Sequence, residues 1–472
     1  MKIKLISGLM LVTLFASTFT SCDKKLDIEP MQSVDALTAL ETDQDFQSAV
    51  VGAYSILGEG SLYGTNLIIL PDLLASNSYI AWAGTFQSYR QVATKTMVAS
   101  NAEATRTWIA AYRAINIANT VLAQSSKISD AALKTQLEGE AYFIRGIMHF
   151  ELVRMYGLPY SAGANNLGVP INLVAVDTPD EAASLGARKT VGEVYTQVIS
   201  DLNAAYAALP ATNGTRAGKL AAKAFLSRVY LQMANYAAAR DAANEVLQLA
   251  PTAAYGGKSL AATVTVPFTN RNSSESLFEI QQNDQNNAGT SNDGLATFCA
   301  SLPGIGRADV YTNNTFYNSF EANDFRRRDL IYLGKGARAT SSAENLANPR
   351  RYTGKWTSFS QNIPVVRLAE MYLTRAECNL RENTTVGASP ADDLATVRNR
   401  AGASVIANPT VANILQERIF ELCFEGSRMH DFKRTQTATG AFLYNDAKLV
   451  YPIPEREMRA NSALVQNPGY FN

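Results

Sequence analysis

The chain has 472 residues, 47% hydrophobic and 18% charged, with Lys+Arg and Asp+Glu both at 42. That balance supports a large globular core and offers no cationic excess for phosphates, which argues against nucleic-acid binding. The only histidines are His149 and His430, and no HExxH or paired CxxC occurs, so a zinc site lacks ligands.

Lys2 and Lys4 precede an apolar run from Leu5 to Phe15, which fades into small residues before Cys22. A basic start, a short apolar core and small residues form a signal peptide over residues 1–21. The run is too short to cross a bilayer, which takes about 20 residues. Ser21-Cys22 resembles the end of a bacterial lipobox, although Phe19 stands where Leu is commoner. Cys22 is therefore the expected lipidation site, since stable anchoring needs more than one acyl chain. A lipidated tether is expected over residues 22–42 and one domain over 43–472. The three remaining cysteines, Cys299, Cys378 and Cys423, cannot complete a disulfide framework; Cys378 and Cys423 read as buried inert thiols.

Helical signals dominate the body of the chain. Ala102–Ser125 reads as a helix. From Asp130 to Tyr156, Leu133, Leu137, Ala141, Ile144, Met148, Leu152 and Met155 recur in steps of three and four, one stripe on one helix face. Gly157-Leu158-Pro159 ends it. Within Lys219–Pro251, Leu226, Tyr230, Tyr236, Ala239, Leu247 and Pro251 fall at tetratricopeptide (TPR) spacings. Helix pairs at Val191–Leu209 and Val365–Leu380 are expected to be degenerate copies, because a single repeat cannot bury its own apolar face. Gln281–Asn314 and Gly334–Gln361, rich in Gly, Asn and Ser, read as long loops with short strands. The predicted fold is mostly α: TPR-like stacked helix pairs, mainly within 43–255 and 363–430, carrying a loop-rich, minor-β insertion at about 256–362.

Seven motifs in order give the chain a family resemblance. Glu140-Ala141-Tyr142-Phe143-Ile144-Arg145-Gly146 leads into Phe150-Glu151-Leu152-Val153-Arg154-Met155-Tyr156-Gly157. Ser276-Leu277-Phe278-Glu279-Ile280 and Asn323-Asp324-Phe325-Arg326 come next. Ile363–Leu373 with Arg375-Ala376-Glu377, and then Arg398–Gly402, succeed them. The last two are Glu417–Arg434 and the ending Tyr451-Pro452-Ile453-Pro454 with Gln466–Tyr470. The chain thus resembles the SusD/RagB family of outer-membrane nutrient-binding lipoproteins.

The resemblance implies a TPR scaffold at the cell surface, held to the outer membrane only through its lipid. It also implies that the protein captures oligosaccharides and passes them to a SusC-like TonB-dependent transporter. No catalysis and no cofactor are implied. A peptide ligand, or a scaffold role without a small ligand, are the alternatives. Glu417, Glu421, Glu425 and Arg428, at i, i+4, i+8 and i+11, read as one structural polar ridge on a helix. A catalytic carboxylate pair is disfavoured there, because arginine partners hold carboxylates ionised. Asn283–Asp293 reads as a solvated loop in preference to a calcium site.

Sugar capture needs flat aromatic faces with amide or charged groups beside them. Asn77, Tyr79, Trp82 and Phe86, in a Gly- and Ser-containing segment, are candidates. Tyr311 and Asn313, with Asn314 and Tyr317, come after the turn at 302–307 and are expected to line the same mouth. Trp356 completes the set, a local core plug being its competing reading. Trp108, in a helical pattern, is expected in the core.

Overall fold

In the computed structural model, residues 40–470 are described, except 179–180, 182–185, 290–292 and 341–345. The leader, Cys22 and nearly all of the tether lie outside the described residues.

Helix α1 (Asp43–Leu57) opens on a capping box, in which Thr42 and Asp45 satisfy each other's backbone N–H groups. Next in sequence are α2 (Asn66–Leu74), strand β1 (Ile80–Trp82) and α3 (Gln87–Thr94). The long helices α4 (Ala102–Gln124) and α5 (Ala131–Tyr156) begin on Asn101 and Asp130, whose side chains accept from the first free backbone N–H groups. Both match the predicted spans to within one residue. Helix α5 ends at Gly157, as expected.

Helices α6 (Val191–Ala208), α7 (Lys219–Gln232) and α8 (Tyr236–Leu249) complete the first array. The helices stack in series: α1 on α4, α4 on α5, α5 on α6, α6 on α7 and α7 on α8. Two glycines of α5 allow a close approach to α6. A Cβ on Gly139 would lie 3.0 Å from that of Ala208, and one on Gly146 would lie 3.1 Å from that of Asp201. Beside Gly146, Arg145 donates to both Asp201 carboxylate oxygens at 2.9 and 2.7 Å, in the core.

The tetratricopeptide spacing at Lys219–Pro251 produces the predicted pair α7–α8. Leu231, Ala239 and Cys378 pack together there, flanked by Tyr230 and Tyr236. The stack continues through α9 (Leu368–Glu382), which packs on α8, α10 (Pro390–Arg400) and α11 (Val411–Glu421). Two expectations need correction. Val191–Leu209 is one helix, paired with α5 and α7, and not itself a pair. Residues 365–367 belong to strand β6 (Ile363–Arg367), antiparallel to β2 (Ser276–Ile280). The β-branched Ile363, Val365 and Val366 favour extended backbone, and Pro364 disfavours helical backbone at Ile363.

The loop-rich portion supplies β3 (Val310–Thr312), β4 (Ile331–Leu333) and β5 (Arg351–Thr353). With β1 from the N-terminal part they form a four-stranded sheet in the order β1-β3-β5-β4.

The signature charges are structural. Arg326, Lys355, Arg367, Arg398 and Arg400 interlock with Asp324, Glu275, Glu417, Glu421 and Glu425, five charges of each sign, nearly all out of solvent. Burial pushes the Glu421 carboxyl up, but Arg400, Arg367 and Arg326 outweigh it and hold it well below the usual carboxylate range. The predicted single ridge is corrected here. Helix α11 ends at Glu421, Phe424 and Gly426 turn the chain at positive φ, and Arg428 begins α12 (Arg428–Arg434). Arg375 bridges to Asp393 and Glu377 to Arg434, each on another helix, while Arg381 pairs with Glu377 one turn along the same helix.

Candidate ligand-binding cleft

The four-stranded sheet places the predicted aromatic residues by parity, because successive side chains of a strand face opposite sides. In the β1–β3 register Ile80 faces Thr312, Ala81 faces Tyr311 and Trp82 faces Val310. Ile80, Val310 and Thr312 are buried, whereas Ala81 and Tyr311 are half-buried. Trp82 therefore lies on the inner face and Tyr311 on the outer one.

Where β3 runs out and β5 begins, an open cleft of about 450 Å³ is lined by Tyr311–Asn314 on one side and Ala347–Arg351 on the other, Arg351 pairing with Thr312 and so standing one step of parity from Tyr311. Asn313 caps the helix Asn314–Ser319, its side-chain oxygen accepting from the Thr315 N–H at 2.8 Å. Its backbone N–H donates to the Tyr79 carbonyl at 2.8 Å, tying the cleft floor to β1. The Arg350 guanidinium sits 4.4 Å from the Tyr311 ring centre, and Arg351 donates to Asn314 Oδ1 at 2.8 Å. The cleft thus combines an aromatic ring, side-chain amides and guanidinium groups.

The other predicted residues lie elsewhere. Trp82 stacks on Tyr89 with ring centres 4.8 Å apart and meets the Phe298 edge at 5.6 Å. It is half-buried, but its Nε1 is buried without a partner. Gly84 closes over it: a Cβ there would come within 2.5 Å of the Trp82 ring. Phe86 joins this cluster through Phe298 and carries Arg307 over its face at 4.7 Å. Asn77 is exposed beside Gly440, away from the cleft lining.

Two candidates cannot present a ring to a ligand, and the expectation for them is corrected. Tyr79 is fully buried: its hydroxyl donates to Asp72 at 3.1 Å and accepts from the Phe424 N–H, and its ring packs on Phe316 and Phe424. Trp356, 1% exposed, donates to the Phe424 carbonyl at 2.9 Å and meets Phe268 edge-on, the core plug of the competing reading. Trp108 is buried as expected, edge-on to Tyr156.

Arg350 and Arg351 went unrecognised in the sequence. The adjacent Pro-Arg-Arg-Tyr run was the available signal, a basic pair where a polar loop enters a strand.

No group of three or more His, Cys, Asp or Glu suited to a metal ion occurs among the described residues. Within the Asn283–Asp293 stretch, Asp293 is engaged by Arg106. Both histidines are buried and held neutral: desolvation and Arg145 push His149 down to about 3, and desolvation and Arg154 lower His430 as well. Cys299, Cys378 and Cys423 are free buried thiols. Burial raises all three pKa values, that of Cys378 to about 12 and that of Cys423 to about 11. No described helix is long and apolar enough to cross a membrane.

Comparison with known proteins agrees with this architecture. Residues 23–231 match a family model described as starch-binding, associating with the outer membrane, and residues 331–450 match the SusD family model. SusD-like protein P2 of Formosa agariphila is 26% identical, the alignment covering 96% of this chain and 97% of the relative. Among solved structures, a SusD superfamily protein from Bacteroides vulgatus superposes with a TM-score of 0.80 at 22% identity, covering 92% of this chain and all of that one. A structure described as a laminarin-binding SusD-like protein superposes at 0.74 and 21% identity, covering 91% of this chain and all of that one. The motifs in order, the stacked helices and these matches together place the chain in the SusD/RagB family.

Proposed function

We propose that this protein captures oligosaccharides at the cell surface, without altering them, and delivers them to a SusC-like TonB-dependent transporter. The observation that carries the reading is the cleft at the β3–β5 edge, where Tyr311 stands beside Asn313, Asn314, Arg350 and Arg351. A pyranose ring needs a flat apolar surface for its C–H face and fixed donors and acceptors for its hydroxyls, and these side chains supply both. The family-model description and the laminarin-binding relative support a glycan as the ligand class. The aromatic cluster of Trp82, Phe86, Tyr89 and Phe298 backs the sheet from its other face and acts as rigid support.

Non-catalytic action fits the chemistry of the cleft, whose lining contains no carboxylate among the described residues. Glycoside hydrolysis ordinarily takes two carboxyl groups flanking the bond. Attachment is assigned to Cys22, acylated after removal of residues 1–21.

Calorimetric titration of the purified protein against neutral and charged oligosaccharides and against peptides tests the reading. Saturable glycan binding weakened by Tyr311→Ala is the expected result. Binding of peptides alone makes the protein a peptide-capturing member. Incorporation of labelled fatty acid, abolished by Cys22→Ala, checks the anchor, and co-isolation with a TonB-dependent transporter checks the partner.

A further inference from the structure

Around the cleft, cations outnumber their partners. Several other arginines of the loop-rich portion are neutralised: Arg307 and Arg338 by Asp309, Arg326 by Asp324, and Arg328 by Asp329. Arg327, Arg350 and Arg351 differ, because none has a described carboxylate within ion-pair distance. Arg350 rests on Tyr311, while Arg351 and Arg327 both lie against Tyr317, at 4.0 and 4.6 Å from its ring centre. Arg327 Nε is buried without a partner, and among the described residues the Arg351 guanidinium donates to the neutral Asn314 amide. The neighbouring acids are committed elsewhere, Glu321 to Arg398 among them.

Three guanidiniums converge here in a chain whose formal net charge is zero. Tyrosine rings hold them in place, so little side-chain freedom is lost when they meet a ligand. Guanidinium forks match planar carboxylate and tetrahedral oxyanion geometry. Resting on the glycan-capture reading above, we infer that the preferred ligand is an acidic oligosaccharide, bearing carboxylate or sulfate groups. The anionic substituents are held by Arg350 and Arg351, whose guanidiniums are backed by the Tyr311 and Tyr317 rings. Arg327 reinforces the positive field through Tyr317.

The test pairs each charged chain with its neutralised form. Oligogalacturonate is titrated beside its methyl ester, and a sulfated carrageenan oligosaccharide beside its desulfated form, with a neutral β-glucan oligosaccharide as reference. The parent protein is compared with Arg350→Gln and Arg351→Gln, which remove charge at solvent-accessible positions. At least one charged form is expected to bind about tenfold or more tightly than its neutralised partner, to lose about tenfold in each variant, and to weaken with added salt. The carboxylate and sulfate arms then show which anion is preferred. Equal affinity for charged and neutral chains overturns this inference but leaves glycan capture standing. Charged-chain binding that both variants leave unchanged overturns it too, since the anion then sits elsewhere. Absence of binding to every saccharide overturns both readings together. Inorganic phosphate binding as tightly as the oligosaccharide reduces the site to a simple anion trap and also overturns it.

Discussion

Asp72 offers a pH prediction that reaches into the support of the cleft. It lies in α2, 2% exposed, with Oδ1 unpartnered. Its Oδ2 accepts from the Tyr79 hydroxyl at 3.1 Å and the Gly426 N–H at 3.4 Å. Burial outweighs these hydrogen bonds and the nearby Arg428, and raises its pKa from 3.8 to about 7. A carboxyl group with a raised folded-state pKa binds its proton more tightly in the folded protein than in the unfolded chain. Stability therefore falls as pH rises from about 4 to about 7, and the loss is complete above that. The interval corresponds to about 4 kcal/mol. For a unit of this size that is a shift of about 4 °C in melting temperature.

Asp72→Asn removes the titration, keeps an acceptor for Tyr79, and puts an amide where Oδ1 has no partner. Melting curves of parent and variant, taken at steps from pH 4 to pH 8.5, should nearly coincide at the acid end and then diverge. By pH 8 the variant should lie about 4 °C higher. A difference that does not change with pH, or a variant less stable at pH 8, would refute the reasoning.

Three further outcomes are expected. Trp356→Ala removes a fully buried indole and orphans the Phe424 carbonyl, and should cost about 3–5 kcal/mol in denaturant unfolding while leaving glycan affinity of the folded protein unchanged. Glu421→Gln uncouples Arg326, Arg367 and Arg400 from their shared carboxylate and should cost about 3–5 kcal/mol by the same assay. Because Glu421 is held below the usual range, its contribution should persist at pH 5 and fade only in strong acid. Tyr311→Ala, at a half-buried site, should change the melting temperature little and weaken glycan binding about tenfold or more in calorimetry.

Helical order was legible because it is local. The three-and-four spacing from Leu133 to Met155 and the stop at Gly157 define α5 within the sequence itself. The α7–α8 pair was equally readable from the tyrosine, alanine and proline spacings. Strand β6 was not, because its partner β2 is some ninety residues away and the helix after it carries the stronger pattern. The cleft was half legible. Tyr311 and Asn313 were singled out from turn composition, but which face of the sheet each residue takes depends on pairing register. One step of parity separates Tyr311 outside from Trp82 inside. Tyr79 and Trp356 look like binding residues in sequence, yet both converge on the turn at Phe424, more than 60 residues from either. Arg350 and Arg351 acquire meaning only when β5 pairs with β3, which brings Arg350 onto the Tyr311 ring and Arg351 to Asn314.

A crystal structure of the protein with a bound oligosaccharide tests the central claim most directly. The account predicts a sugar ring against Tyr311, its polar groups reaching Asn313, Asn314, Arg350 or Arg351. Ordered sugar at another surface, with the cleft left to solvent, would contradict it.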